Sequence, residues 1–252
     1  VIVDICEKDV ERAINEEQLS FVYQPKVSLH SGKVYGYEVL TRWDHAKHGY
    51  ISPEILFNTQ LNGCLEQMLD KHILLQLFSE ISSVIELGYT FAINCSPRKM
   101  YDMHFSKTLL NTASLFGISP TSIVLEITED EVLDNIALVK PAFDFLRGVG
   151  VKVSLDDFGA RNSTFKQLLN LRFDEIKVDK FFALNSLQNP NAMAMIETMI
   201  MFGQRVGSNV LIEGVENEWI HKLLINKGAL QAQGYYYSKP KAFRDAFNEY
   251  LG

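Results

Sequence analysis

Cysteine is scarce and scattered: Cys6, Cys64 and Cys95 lie far apart and form no CxxC pair. That excludes a disulfide framework and a thiolate metal knuckle, and fits a reducing cytosol. No apolar run approaches the roughly 18 residues that a bilayer-spanning helix needs. The opening Val1-Ile-Val-Asp-Ile-Cys-Glu-Lys8 lacks the basic-then-apolar pattern of a secretory signal. Basic residues are also outnumbered, 24 Lys and Arg against 31 Asp and Glu, for a net charge of −7. A chain of that balance has no broad basic surface for a nucleic-acid polymer or an anionic membrane. The expected location is therefore cytoplasmic. There is no initiator Met, and the chain stops bluntly at Leu251-Gly252, which predicts a domain cut from a longer multidomain protein.

What is present is an alternation of short β-rich runs and longer helical stretches. Runs at 19–29 and 33–43 flank His30-Ser31-Gly32 and predict a hairpin. Ser52-Pro53 reads as an N-cap with Pro at the first helical position, opening a helical tract to about residue 87. Further strands are predicted at 90–94, 122–127, 151–156, 174–178, 209–213 and 230–235. Helices follow them at 97–117, up to 147, at about 165–171, 192–206, 216–227 and 241–250. Eight strands joined by helical crossovers predict an α/β fold, a (β/α)8 TIM-barrel-like domain with an antiparallel first strand. An open dinucleotide-binding sheet is disfavoured, because no Gly-rich phosphate loop follows an early strand. One domain is expected over 1–252, with its core at about 19–245.

Barrel enzymes carry their chemistry at the C-terminal ends of strands. Here those ends hold Glu38, Asn94, Glu126, Asp156 with Asp157, Lys177, Glu213 and Gln233. Singly, each is a residue that caps a helix or braces a loop, and Lys177 alone would be explained by an ion pair with Asp156 or Asp179. Collectively they are harder to dismiss, since several acids sit in apolar contexts such as Val124-Leu-Glu126 and burying them unpaired would be prohibitive. Carboxylates and an amide oxygen, with no His or Cys among them, suit Mg²⁺ or Mn²⁺. The adjacent Asp156 and Asp157 can offer oxygens to two ions, the arrangement that clamps both oxygens of a phosphoryl displacement. No Ser, Cys or His is placed as a nucleophile, which favours attack by metal-activated water. Within Glu175-Ile-Lys-Val-Asp179 the odd positions share one strand face, so Lys177 can point into the site to orient that water and stabilise phosphate charge.

The motifs and their order resemble the EAL domain family of cyclic di-GMP phosphodiesterases. The chain shows Tyr23-Gln-Pro25, then Glu38-Val-Leu-Thr-Arg42, Asn94-Cys-Ser96 and Glu126-Ile-Thr-Glu129. It continues with Asp156-Asp-Phe-Gly159, Lys177-Val-Asp179, Glu213-Gly-Val-Glu216, Gln233-Gly-Tyr235 and Ser238-Lys-Pro240. The resemblance implies opening of cyclic di-GMP to linear pGpG with two Mg²⁺ or Mn²⁺ ions. It implies that Glu38, Asn94, Glu126 and Asp156 hold one ion, and Asp156 with Asp157 the other. Glu213 would be a ligand or hold water, and Lys177 would contact the hydrolytic water. Gln24, Arg42, Gln233 and Pro240 would meet substrate or order the site, with Glu216 in support. A homodimer, and a flanking sensory or receiver domain, are further expectations of the family.

Two departures stand out. Val39 replaces the family's Ala beside Glu38, and the segment after the paired aspartates reads Ala160-Arg-Asn-Ser-Thr164 where the family has Thr-Gly-Tyr-Ser-Ser. Arg161 there gives up the positive φ open to Gly. Glu129, the acid expected to anchor this loop, is retained. A cyclic di-GMP receptor that binds without hydrolysis is the alternative that the altered loop keeps open. Elsewhere, His45 and His48 are expected in a solvated loop, Cys95 as a small buried thiol, and Met193, Met195, Met199 and Met201 in the core or at an interface.

Overall fold

The first strand runs against everything around it. In the computed structural model, which describes residues 5–59, 61–128, 136–160 and 170–251, β1 (Leu19–Ser28) and β2 (Val34–His45) form an antiparallel hairpin. Its turn is allowed by Gly32, whose φ of 69° lies in the left-handed region. A short strand absent from the sequence expectation, β3 (Gly49–Ile51), folds back on the end of β2. From β2 the sheet continues in parallel through β4 (Thr90–Asn94), β5 (Ile123–Thr128), β6 (Lys152–Phe158), β7 (Glu175–Val178), β8 (Asn209–Ile212) and β9 (Gln231–Ala232). β9 then pairs antiparallel with β1, Val27 opposite Ala232, and closes an eight-stranded barrel. The expected fold, with its reversed first strand, is the fold observed.

Helices surround the barrel because the outward strand residues are apolar and need cover. Leu125, Ile127, Val153, Leu155, Ile176 and Val178 are all buried in one continuous core. Several helices begin at side-chain caps. Asn62 accepts from the Leu65 amide, Asp179 from Phe181, Asn189 from Asn191 and Asn217 from Ile220. The tract expected to be one helix from 53 to 87 is broken for this reason. It comprises Pro53–Asn58, then Gly63–Ile81 restarted by the Asn62 cap, then a 3-10 segment, Ser82–Leu87. The last expected helix instead opens with β10 (Lys241–Ala242), paired to β1, followed by helical turns at Phe243–Ala246 and Asn248–Leu251. Two helices carried no expectation, α1 (Glu7–Asn15) and Lys180–Asn185. The helix expected at about 165–171 lies almost wholly outside the described residues.

The sheet register is interrupted at two places, both beside the lumen. Lys26 pairs with Gly36 and Val27 with Val34, so Tyr35 is an extra residue bulged from β2. Between β6 and β7, Leu155 pairs with Ile176 and Phe158 with Val178, so Asp156 and Asp157 share the space opposite Lys177. A bulge of this kind re-aims side chains that strict alternation would send to opposite faces.

Candidate active site

Consecutive residues on a regular strand point to opposite faces, so adjacent aspartates would not ordinarily reach one site. The β6 bulge removes that obstacle. Asp157 adopts φ 54°, a left-handed conformation that aspartate tolerates better than most residues, and its amide donates to Asp156 Oδ1 at 3.0 Å. One carboxylate oxygen each from Asp156, Asp157 and Glu213 then lie within 4.8 Å of one another. Glu38, Glu126 and Asp156 form a second group on the same criterion, so Asp156 belongs to both.

The neighbouring backbone holds these groups in place. Past the last residue of β8, the Glu213 amide still donates to Val178, and past β9 the Gln233 amide donates to Ile212. Gly214 allows the chain to turn away directly after Glu213. Its φ is 72°, and a Cβ there would lie 2.4 Å from Cβ of Lys180.

Lys177 is the hub of the acids. Its Nζ lies 2.7 Å from Asp156 Oδ1, 3.0 Å from Glu213 Oε1, 3.1 Å from Glu126 Oε2 and 3.6 Å from Glu38 Oε1. One ammonium cannot balance them all. Burial pushes Glu38 up to about 7 and Glu213 up to about 8, despite the attraction of Lys177. Partial burial, reinforced by the Asp156 charge, raises Asp157 to about 6. Glu126 goes the other way. Burial opposes its ionisation, but Lys177 and Lys26 together hold it at about 2. For Lys177 burial favours the neutral amine, and the surrounding carboxylates overcome it to raise its pKa well above the ordinary value.

The remaining expected residues are placed unequally. Gln233 Nε2 donates to Glu38 Oε2 at 2.6 Å, while its buried Oε1 has no hydrogen-bond partner among the described residues. Asn94 ends β4 in register with Glu126 and is exposed. Gln24 lies opposite Glu38 in the hairpin and donates to the Ser238 carbonyl at 3.5 Å, bracing the segment that leads to the half-buried Pro240. Arg42 shares the strand face of Glu38, and its guanidinium donates to the Thr41 carbonyl at 2.8 Å. Glu216 is exposed in the loop beyond Glu213. Glu129 and Arg161 to Thr164 lie outside the described residues. The expected solvated loop at His45 is corrected: the ring is buried, its Nδ1 accepts from the Lys47 and His48 amides, and Nε2 lies 3.5 Å from Asp9 of α1. Cys95 is buried and in no disulfide, while among the methionines Met193 and Met199 are buried and Met201 is exposed.

The donor set fits divalent cations. Glu38, Glu126, Asp156, Asp157 and Glu213 face the single ammonium of Lys177, an excess of four negative charges when all are ionised. All of these donors are hard oxygens. Gln233 Oε1, without a partner among the described residues, adds one more acceptor.

The EAL domain family model matches residues 7–240. The chain belongs to the EAL domain family. Among curated relatives of this EAL domain, the cyclic di-GMP phosphodiesterase RocR of Pseudomonas aeruginosa is 29% identical over 92% of the chain, which spans 60% of RocR. The cyclic di-GMP phosphodiesterase NbdA of the same organism is 29% identical over 93% of the chain, which spans only 30% of NbdA. The EAL domain thus spans less than two thirds of the length of these relatives. Among solved structures, a calcium and cyclic di-GMP complex of Klebsiella pneumoniae BlrP1 superposes with TM-score 0.79 at 25% identity, covering 90% of this chain and 56% of that one. The cyclic di-GMP complex of the phosphodiesterase PaMucR gives TM-score 0.85 at 24% identity over 95% and 98%, a likeness of fold. No helix among the described residues is long and apolar enough to cross a membrane.

The buried pair beneath the acids went unmarked in the sequence. Lys26 and Glu175 lie in the lumen under Glu126, with Ser154 and the bulged Tyr35 around them. The available signal was alternation: Lys26 is two residues from Gln24 and Glu175 two from Lys177, so each shares a lumen face with an expected site residue.

Proposed function

We propose that this EAL domain hydrolyses cyclic di-GMP to linear pGpG with two divalent cations, Mg²⁺ or Mn²⁺. The observation that carries the reading is the pair of carboxylate groups joined through Asp156 at the mouth of the barrel. RocR and NbdA, named as cyclic di-GMP phosphodiesterases, and the calcium and cyclic di-GMP complex of BlrP1 support it.

Glu38, Asn94, Glu126 and Asp156 would hold one cation, and Asp156, Asp157 and Glu213 the other. Bound there, the cations would activate water and neutralise charge on the phosphate. Lys177 orients the attacking water and offers its ammonium to the phosphate oxygens. Gln233 fixes the Glu38 carboxylate and presents its free Oε1 to the site. Arg42 reaches a phosphate or guanine edge after exchanging its bond to the Thr41 carbonyl, and Gln24 and Pro240 shape the rim. Glu216 supports the loop after Glu213. In the cell the domain acts in the cytoplasm, as a homodimer, within a longer protein carrying a sensory or receiver unit.

The test is chromatography of the nucleotide after incubation with Mg²⁺ or Mn²⁺. Release of pGpG that EDTA abolishes is expected. Binding of intact cyclic di-GMP with no pGpG in either metal would replace the hydrolase with a receptor.

A further inference from the structure

The lumen of a (β/α)8 barrel is ordinarily filled by branched apolar side chains. Here a lysine fills part of it. Lys26 is only 1% exposed and donates to Glu126 Oε1 at 2.7 Å and to Glu175 Oε1 at 2.6 Å. Glu175 is itself held from two further strands. Ser154 Oγ donates to its Oε1 at 3.1 Å, and Tyr35, turned inward by the β2 bulge, donates to its Oε2 at 3.2 Å. Stability alone does not account for this assembly, since well-packed apolar residues in place of a buried ion pair are often neutral or stabilising.

The geometry shows what the pair does instead. Glu126 has its two oxygens divided, Oε1 accepting from Lys26 below and Oε2 from Lys177 above. Without Lys26 the carboxylate is free to rotate or to draw Lys177 downward. We propose that Lys26, clamped by Glu175, Tyr35 and Ser154, is a positioning residue that holds Glu126 with Oε2 aimed into the metal site. This rests on the hydrolase reading above for its catalytic consequence, but its immediate effect is on metal affinity. Groups that orient a metal ligand typically change affinity or activity by about 10–100-fold when removed.

The experiment titrates Mn²⁺ by calorimetry into the whole chain, into a Lys26→Met/Glu175→Gln double variant, and into Tyr35→Phe. The double variant removes the charge pair while keeping volume. It is expected to bind Mn²⁺ about 10–100-fold more weakly, while its metal-free unfolding midpoint stays at or above the parent's. With cyclic di-GMP at saturating Mn²⁺, kcat falls and KM stays within about twofold, because Lys26 acts on a ligand and not on the nucleotide. Tyr35→Phe gives a smaller loss in the same direction. A folded double variant with Mn²⁺ affinity within about twofold of the parent overturns the proposal. If the double variant does not fold, Tyr35→Phe decides, and unchanged affinity overturns it. A parent that binds Mn²⁺ but leaves cyclic di-GMP intact removes the hydrolase reading alone, and the affinity comparison still stands. A parent that binds no Mn²⁺ overturns both.

Discussion

In the lower lumen Lys26 and Glu175 meet as cation and anion, Ser154 donates to the same Glu175 oxygen as Lys26, and Tyr35 donates to the other. In the upper lumen, one layer nearer the C-terminal strand ends, Lys177 faces four carboxylates within 3.6 Å, and Asp157 stands beside them. Both layers place a lysine among acids, the lower one buried and the upper one opening to solvent at Asp157. The lower one is complete as it stands, whereas the upper one carries more negative charge than its protein groups neutralise. Glu126 belongs to both, one oxygen in each. A polar layer closed on itself supports structure, and a polar layer left unbalanced is the place to look for ligands.

The comparison is broken most severely from above. Asp156→Asn removes the carboxylate common to both groups and is expected to lower kcat by about 10³-fold or more, about 4 kcal/mol, read as pGpG release. Near-parental turnover would remove the metal assignment. From below, Lys26→Met alone strands Glu175 in the lumen and should cost about 3–5 kcal/mol in urea unfolding, unlike the double variant. Metal sharpens the contrast. Divalent cation at 100 times its Kd should stabilise the parent by about 2.7 kcal/mol, seen as a higher unfolding midpoint that EDTA reverses. Asp156→Asn should lose that response.

The smallest effect lies outside both layers. Asp174, just before β7, accepts two bonds from Arg147 at 2.9 and 2.8 Å and one from the Val153 amide. Burial would raise its pKa, but these bonds hold it below the ordinary value. Its contribution is therefore full above the unfolded pKa and is lost as pH falls through the lower folded one. Asp174→Asn should cost about 1–2 kcal/mol at neutral pH, and the gap from the parent should close as the solution is acidified below about 4.

Much of the barrel was legible in the chain. The eight lumen strands were readable because each is a short apolar run bounded by turn residues, and most of the upper acids because each interrupts such a run near its C-terminal end, although Glu38 sits within β2. What could not be read depends on register. Asp156 and Asp157 were expected at one site, but the bulge opposite Lys177 that lets adjacent strand residues converge there was not. Tyr35 enters the lumen for the same kind of reason. Lys26 and Glu175 are separated by 149 positions, and their meeting depends on barrel closure. His45 looked like a loop residue because its partner, Asp9, lies in a helix that had not been expected.

Barrel closure has a consequence in time as well as in space. The join between β1 and β9 consists of two residue pairs, Val27 with Ala232 and Ser28 with Gln231, and one further bond from the Leu29 amide to the Leu230 carbonyl. Its partners are about two hundred residues apart in the chain, so the join, with the β1–β10 pairs beside it, carries a large loop entropy and belongs among the last contacts made during folding. β9 is joined to β8 by two residue pairs as well, so this short strand is where the closed cylinder is held by the fewest bonds. Gln233, which grips Glu38, comes directly after it. Fraying of β9 would therefore slacken one acid of the upper layer through Gln233.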